Sequence, residues 1–528
     1  MRKTKISIAQ LHYTTGALND NCKKIINTYK QACANESSLV IFSDLAITGY
    51  PPNTAMLKPN FQKQCMEMLN KLAMETKNYK TFMLVGGIWV QNDCIYNSMF
   101  LLGNGQVFTS IGKHTIDYEG MCSEASIFTA TLIPKTIIVD NIKIQVIIGS
   151  DIAMHHLAGL MSKTGVEIII VTSTKPYVKE SNIDLSNTLT KINKETLLPI
   201  IYLNQVGGNK NITAKGGSLI MSAQGQIIHR MPEWQECVSH TDWTEDINGW
   251  VCTNGLQSKP YNEIENIYHA MIRSLDDFIV YNKFNSIIVN LNDTIGTIIS
   301  IIAAANLPSK VQITAYSFIK TKYTALMKKL KIKHKKINIT KALNANKKAL
   351  KELDPEVTDD KNITAKTIAL IMDSLASTNN SLLLSTTDKT SIALGEEIYE
   401  NVFAHYNIVG DLYKIELINM LKWLNKSNNY IADSKKTRKA GSTKLDPCSK
   451  FDTSIKNFDN ALQEILDNGM SYTDLVKIGY SPKLEQSIKN IISKQQQNKN
   501  NIIQPLCISS NSFNTSWQTP PNTPNPDT

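Results

Sequence analysis

Apolar and polar residues alternate near the start of the chain, and this period of two predicts a strand over Ile6–Leu11. Apolar positions then recur three and four residues apart through Asn19–Asn35, the spacing of a helix with one buried face, and Asp20 sits near its start. The unbroken run Leu39-Val-Ile-Phe predicts a buried strand over Ser38–Ser43 that ends at Asp44, and Gly49, Pro51 and Pro52 make residues 46–52 a turn region. A helix is expected over Phe61–Thr76. Strands are expected over Met83–Gly87, Met99–Leu102 and Val107–Ser110, with Gly103-Asn-Gly105 as a hairpin turn. Ile144–Ile148 reads as a buried strand that leads through Gly149-Ser-Asp151 into a helix reaching Met161, and Glu167–Val171 and Ile200–Asn204 as further strands.

The second half shows a different rhythm. A helix is expected over Tyr261–Val280, a strand over Ser286–Asn290, a turn at Leu291–Gly296, a helix over Thr297–Ala305, a strand over Val311–Tyr316 and a helix over Lys320–Leu330. That order predicts a doubly wound parallel sheet. Asn362–Ala376, Ile415–Asn425, Asn460–Asn468 and Tyr472–Ile478 read as helices and Ser381–Ser385 as a strand, with a polar, basic loop over 434–455. The pattern divides the chain into an α/β domain over 1–255, a second over 256–500 and a Pro/Asn-rich tail over 501–528, expected to be disordered.

Composition narrows the function classes. The chain has 528 residues, 42% hydrophobic and 19% charged, a globular balance long enough for more than one domain. No stretch approaches the ~18 apolar residues of a membrane span, and the first apolar run is too short for a secretion signal. Neither a membrane span nor secretion is expected, and a cytoplasmic location is. The net charge of +10 is uneven: residues 1–250 hold 22 basic and 20 acidic side chains, the remainder 34 and 26. The excess concentrates in Lys328–Lys336 and Lys435–Lys439, where no aromatic residues interleave the lysines. A solvated face is therefore expected there, and a nucleic-acid partner is not. The nine cysteines show no C-x-x-C pair and the histidines no H-E-x-x-H, so no metal site is expected; an odd, scattered set suits reduced thiols.

Chemistry enters through a series of short motifs. In order they are Leu45-Ala-Ile-Thr-Gly-Tyr-Pro-Pro52, Asn204-Gln-Val-Gly-Gly208 with Gly216-Gly-Ser218 and Gly225, and Tyr268-x-Ala followed by Leu275-x-Asp-Phe278. Leu384-Ser-Thr-Thr-Asp-Lys389 follows, with Ala393, Gly395 and Tyr399, and finally Ser442, Leu445 and Pro447. Their order and spacing resemble the glutamine-dependent NAD(+) synthetase family over about residues 3–500. The resemblance implies a nitrilase-like αββα sandwich followed by a doubly wound, adenine nucleotide α-hydrolase-like domain. It also implies two linked reactions. An amidase with a Glu–Lys–Cys set takes ammonia from glutamine, and a synthetase uses ATP and Mg2+ to amidate deamido-NAD. The family's oligomers imply a homo-oligomer, or a pairing with an active copy.

On that resemblance the amidase glutamate falls on Asp44, one methylene short, and the lysine on Lys113. The nucleophile falls on Gly149, where the family's Cys-Glu-Asp is Gly149-Ser150-Asp151, so no thioester can form there. Ser150, by a shift of one residue, or Cys122, from the loop after Lys113, could substitute only if held within hydrogen-bond reach of the base, and neither is expected to serve. The family's phosphate loop, Ser-Gly-Gly-x-Asp-Ser, becomes Asn292-Asp293-Thr294-Ile295-Gly296-Thr297. Both glycines have gained side chains, one a carboxylate that repels phosphate, while Asn292, Asp293 or Thr294 can still cap the next helix. Lys389, Thr297 and Ser442 remain, but the family's metal-binding glutamate falls on Ser391, its Ile-Lys-Asp lysine on Gly410 and the glutamate of its last loop on Lys444. The expectation is a synthetase-like pseudoenzyme with a binding, scaffolding or assembly role and no resident metal or cofactor; ATP, Mg2+ and deamido-NAD belong to it only if the family activity persists. The alternatives are a diverged working synthetase and a binding module for an anionic partner at Lys328–Lys336.

Overall fold

The computed structural model of the chain describes residues 2–117, 124–132, 135–154, 157–179, 181–247, 249–353, 360–395, 402–428, 430, 454–495, 503–509 and 512. It divides into two compact units, Met1–Asn266 and Ile267–Thr528. Cys122, Tyr399, Ser442, Lys444, Leu445, Pro447 and residues 434–453 of the loop expected over 434–455 lie outside the described residues, while Ser454 caps helix Ile455–Leu466.

The first unit is built on two sheets. One has seven strands in the order Gly249–Cys252, Cys237–Asp246, Lys3–Gln10, Leu39–Ile41, Phe82–Gln91, Cys94–Gly103 and Gln106–Gly112. The other has six, in the order Ile227–Arg230, Leu219–Met221, Ile200–Asn204, Ile168–Ser173, Ile142–Ile148 and Thr136–Val139. Their facing residues form one core: Ile6, Ile8, Leu39, Ile41 and Leu84 from the first pack with Ile144, Val146, Ile148, Ile168 and Ile170 from the second. The odd-numbered neighbours in the second sheet turn outward, as a period of two requires. Ile147, Ile169 and Val171 form a separate layer with Leu157, Met161, Leu189 and Ile192 from helices Leu157–Thr164 and Ser181–Thr196. On the other side, helix Leu18–Ala34 turns Leu18, Cys22, Ile25, Ile26 and Tyr29 toward Val40, Met83 and Val85. Strands apolar on both faces and helices apolar on one give the four layers of the expected αββα sandwich.

In the second unit five strands run parallel, in the order Lys333–Lys336, Gln312–Ser317, Ser286–Asn290, Ser381–Ser385 and Tyr406–Asn407. This is the expected doubly wound sheet, and its order reverses between Ser286–Asn290 and Ser381–Ser385. Helix Asp360–Thr378 covers one face through Ile368, Met372 and Ala376. A helical cluster of Phe458, Leu462, Leu475, Leu484 and Ile488 packs on Ala393 and Tyr413.

Three expectations need correction. The helix expected from Gly149 to Met161 is a 3-10 turn over Gly149–Ala153 followed by a separate helix from Leu157. The helix expected over Lys320–Leu330 is confined to Thr324–Lys329. Within the tail expected to be disordered, residues 503–509 are described, and Leu506, Cys507 and Ile508 are fully buried. Pro505 bridges to Asn407 in parallel, and the Leu506 N–H donates to the Asn407 carbonyl at 2.8 Å, so this segment closes the exposed edge of the sheet. At the opposite edge, Lys333, Lys335 and Lys336 project from their strand as exposed lysines that discourage pairing with another chain.

Candidate functional site

Three strand ends bring Asp44, Lys113 and Gly149 together. Asp44 follows Leu39–Ile41, Lys113 follows Gln106–Gly112, and Gly149 follows Ile142–Ile148. Asp44 and Lys113 are 2% and 3% exposed, a rare burial for charged groups unless paired. The Lys113 ammonium donates to Glu124 Oε2 at 2.6 Å and to Asp117 Oδ2 at 2.9 Å. Burial works against its charge, but these two carboxylates outweigh it and hold the ammonium protonated, above its usual range. Asp151 fixes the backbone beneath: its carboxylate accepts the His114 N–H at 2.9 Å and the Thr115 N–H, the two residues that follow Lys113. Asp151 thus sets the path along which Lys113 reaches Gly149.

Gly149 has φ +52°, and a Cβ built on it would lie 3.3 Å from Lys113 Nζ and 3.5 Å from Lys113 Cε. A side chain at this residue would point straight at the lysine. The left-handed turn is readily adopted by glycine, and it leaves a base, a cation and a second acid around an empty nucleophile position. Ser150 does not fill it, because its hydroxyl donates to the Thr115 carbonyl at 3.2 Å. Glu124, the partner that fixes Lys113, was not expected from the sequence: it lies in a stretch with no periodicity that would mark it as buried.

Asp44 carries strain of an electrostatic kind. Thr174 Oγ1 donates to Asp44 Oδ2 at 3.1 Å, while Oδ1 is buried without a hydrogen-bond partner. Burial pushes its pKa up to about 6, partly offset by Lys113 and reinforced by Glu124. A carboxyl that holds its proton more tightly when folded than when unfolded stabilises the fold below about pH 4, and that contribution is lost as pH rises through about 6. Asp44→Asn removes the penalty, so it is expected to raise the melting temperature at pH 7.5 and leave it nearly unchanged at pH 4. An equal shift at both pH values would remove this account of Asp44.

In the second unit, the expected phosphate loop lies at the reversal point of the sheet, where open parallel sheets bind ligands. Its polar atoms are turned on one another. Thr294 caps helix Ile295–Ala305 by accepting the Thr297 N–H at 3.3 Å. The Thr294 and Thr297 hydroxyls both donate to Asn292 Oδ1. Thr297 Oγ1 also lies 2.9 Å from Thr386 Oγ1, and Asp293 Oδ1 accepts from Thr321 at 2.8 Å. Of the three capping candidates, Thr294 is the one that caps. This arrangement does not fit a triphosphate: Asp293 and Thr294 place side chains where bare backbone N–H groups would approach the ligand, and the capping hydroxyl of Thr294 occupies a leading donor. Gly296 allows the closure, since a Cβ there would meet the Thr386 carbonyl oxygen at 2.1 Å. Restoring the family's acid by Gly296→Asp is therefore expected to destabilise this unit by about 3 kcal/mol or more. Thermal unfolding at the wild-type midpoint would contradict that packing.

Lys389 is 1% exposed. Its ammonium donates to Asp411 Oδ1 at 3.0 Å, Asp467 Oδ1 at 2.7 Å and Ser509 Oγ at 3.2 Å, and lies 5.1 Å from the Tyr413 ring centroid. Asp388 caps the short helix that begins at Lys389 by accepting the Ser391 N–H at 2.8 Å. The structure thus places Lys389 in an internal ion network. Among the described residues no group of three His, Cys, Asp or Glu could hold a metal ion, no helix is long and apolar enough to cross a membrane, and the seven described cysteines are free.

The carbon–nitrogen hydrolase family model matches residues 5–250, and the NAD synthase model matches residues 301–501, beginning beyond the Asn292–Thr297 loop. Among curated proteins, the glutamine-dependent NAD(+) synthetase of Synechocystis sp. is 24% identical over 553 residues, covering 98% of each chain. That of Rhodobacter capsulatus is 25% identical over 436 residues, covering 80% of this chain and 78% of its own. Among solved structures, a glutamine-dependent NAD(+) synthetase from Cytophaga hutchinsonii aligns with a TM-score of 0.80 at 14% identity, covering 99% of this chain and 98% of that one. The Acinetobacter baumannii synthetase in complex with ADP aligns with a TM-score of 0.75 at 19% identity, covering 97% of each.

Proposed function

Since the chain belongs to the glutamine-dependent NAD(+) synthetase family, we propose that it is a member that keeps the two-domain frame without running either half-reaction, and that works by binding, scaffolding or assembly. The observation that carries this reading is Gly149. Its missing side chain lies on the line to Lys113, so an amide carbon brought to Asp44 and Lys113 meets no sulfur from this position. The lysine, the shortened base and Asp151 remain as the frame of an amidase site. They can orient an amide, but among the described residues none there is placed to form the covalent bond that would release ammonia. The loop Asn292–Thr297, closed by its own hydroxyls, supports the same reading for nucleotide turnover. Assembly with itself, or with an active copy of the family, is the role proposed for the intact frame, and a cytoplasmic site of action follows from the family's soluble biosynthetic chemistry.

The relatives weigh toward a second reading, a diverged but working synthetase, because the curated proteins that span nearly all of the chain carry that activity in their names. Gly149 limits this reading to ammonia: a site without a nucleophile cannot draw nitrogen from glutamine, whereas free ammonia needs no amidase. The test is purified protein with ATP, Mg2+ and deamido-NAD, supplied with ammonium chloride in one arm and glutamine in the other. No NAD above a heat-treated control in either arm is the expected result. NAD from ammonia alone would establish the second reading, and NAD from glutamine would overturn both.

A further inference from the structure

The first unit has a cleft at the edge of the six-stranded sheet whose lining does not include Gly149. Its floor can be read from the strand register. Tyr202 pairs with Leu219, and Leu219 with Arg230. Residues directly opposite one another share a face, so the three side chains form a row across three strands, and all three line the cleft. With strands about 4.8 Å apart, the row spans roughly 9–10 Å. Asn204, two residues beyond Tyr202 on the same face, also lines it.

The two ends of this row differ in chemistry. At one end stands Arg230, which makes no ion pair among the described residues. Lys175 in the lining is likewise unpaired there. The third lining cation, Lys215, is neutralised by Glu233 at 3.1 Å. At the other end, Tyr202 and Asn204 are 2% and 6% exposed. The Asn204 Oδ1 atom and the Tyr202 hydroxyl, which lies beside Ser173, are buried without a hydrogen bond of acceptable geometry. A buried amide oxygen left unpaired costs free energy that a ligand N–H would recover. Between the two ends lies Leu219, an apolar step.

We propose that this cleft binds a small carboxylate with a flat or branched apolar body and a hydrogen-bond donor at its far end. The carboxylate meets the Arg230 guanidinium, whose planar fork can hold both oxygens. The body lies over Leu219, and the donor meets Asn204 Oδ1. Asp44, Lys113 and Gly149 do not line this cleft, although Thr174, next to Lys175 in its lining, donates to Asp44, and the proposal does not depend on whether either half-reaction survives.

Titration calorimetry of the full chain with para-aminobenzoate, benzoate and aniline tests the three parts separately. Para-aminobenzoate has carboxylate, flat body and donor at about the required span; benzoate lacks the donor and aniline the carboxylate. The expected order is para-aminobenzoate tightest, benzoate weaker and aniline undetectable. Arg230→Ala is expected to weaken both carboxylates at least tenfold, and Arg230→Lys, which keeps the charge but loses the fork, by less. Arg230→Gln serves in place of the alanine variant if that variant melts early. Wild-type affinity in a folded Arg230→Ala or Arg230→Gln protein overturns the proposal. So does equal binding of para-aminobenzoate and benzoate, or no binding of either carboxylate at millimolar concentration.

Discussion

Gly149→Cys is expected to give the protein a glutaminase activity, which the proposed function denies to the wild type. The new Cβ would lie 3.3 Å from Lys113 Nζ, so the sulfur would emerge beside a cation that Glu124 and Asp117 keep protonated. A neighbouring ammonium favours the thiolate. The left-handed backbone at φ +52° costs a non-glycine residue about 1–2 kcal/mol, which a domain with this core can bear. Removing a nucleophile commonly costs on the order of 10⁶-fold. Asp44, one methylene short, forfeits about 100-fold of what would be regained. The single variant is thus expected to release glutamate from glutamine at least ~100-fold above the wild-type background, and Asp44→Glu combined with it to add roughly another 100-fold. Alkylation should locate the introduced thiol, which is expected to react with iodoacetamide faster than the buried native cysteines do. If the variant folds and its thiol reacts, yet the double variant releases no glutamate, the loss of chemistry lies elsewhere in the pocket and Gly149 does not carry it.

Asp411→Ala should cost the second unit the most of any single substitution outside its apolar core. Asp411 is 1% exposed. One oxygen accepts the Ile508 and Ser509 N–H groups, each at 2.7 Å, and the other accepts from Lys389 at 3.0 Å and Ser509 Oγ at 2.8 Å. Its removal takes from the Lys389 ammonium one of its two carboxylate partners and strips the C-terminal segment of the anchor for two amides. Breaking a buried pair by removing one partner costs about 3–5 kcal/mol. A separate, earlier melting transition is expected, along with proteolytic release of the segment beyond residue 504. A loss below about 1 kcal/mol would mean that Lys389 is held without Asp411. Gly410 belongs to the same arrangement: a Cβ there would lie 2.5 Å from Asn407 Nδ2 and 2.8 Å from Pro505 Cβ. Where the family resemblance places a lysine, this chain makes room for its own C-terminal segment.

The parts of the fold legible in the sequence share one property, a period tied to burial. Ser286–Asn290, Ile200–Asn204 and Ser381–Ser385 are bounded as expected, because short apolar runs between polar turns leave no competing pattern. The strands Phe82–Gln91 and Cys94–Gly103 run well past their expected ends. The turn that joins them, Asn92-Asp93, takes φ of +50° and +59° without a glycine to announce it. Helix Thr340–Leu353 is not among the expected elements although Leu343, Ala349, Leu350 and Leu353 recur at helical spacing, and none of its residues is buried. The site was legible where resemblance assigned strand ends, at Asp44, Lys113 and Gly149, and illegible where function depends on distant chain. Glu124 reaches Lys113 from an aperiodic loop, and Ser509 reaches Lys389 from 120 residues away. A composition rich in Pro and Asn suggested disorder for that last segment, whose few apolar residues, Leu506 to Ile508, are fully buried.

The central claim is that a preserved frame has lost the transfer of nitrogen from glutamine to a nucleotide. It is tested most directly by supplying the wild-type protein with ATP, Mg2+, deamido-NAD and glutamine carrying heavy nitrogen in its amide, and following the NAD mass. No labelled NAD above a heat-treated control is the predicted result; labelled NAD forming in proportion to protein concentration would contradict it.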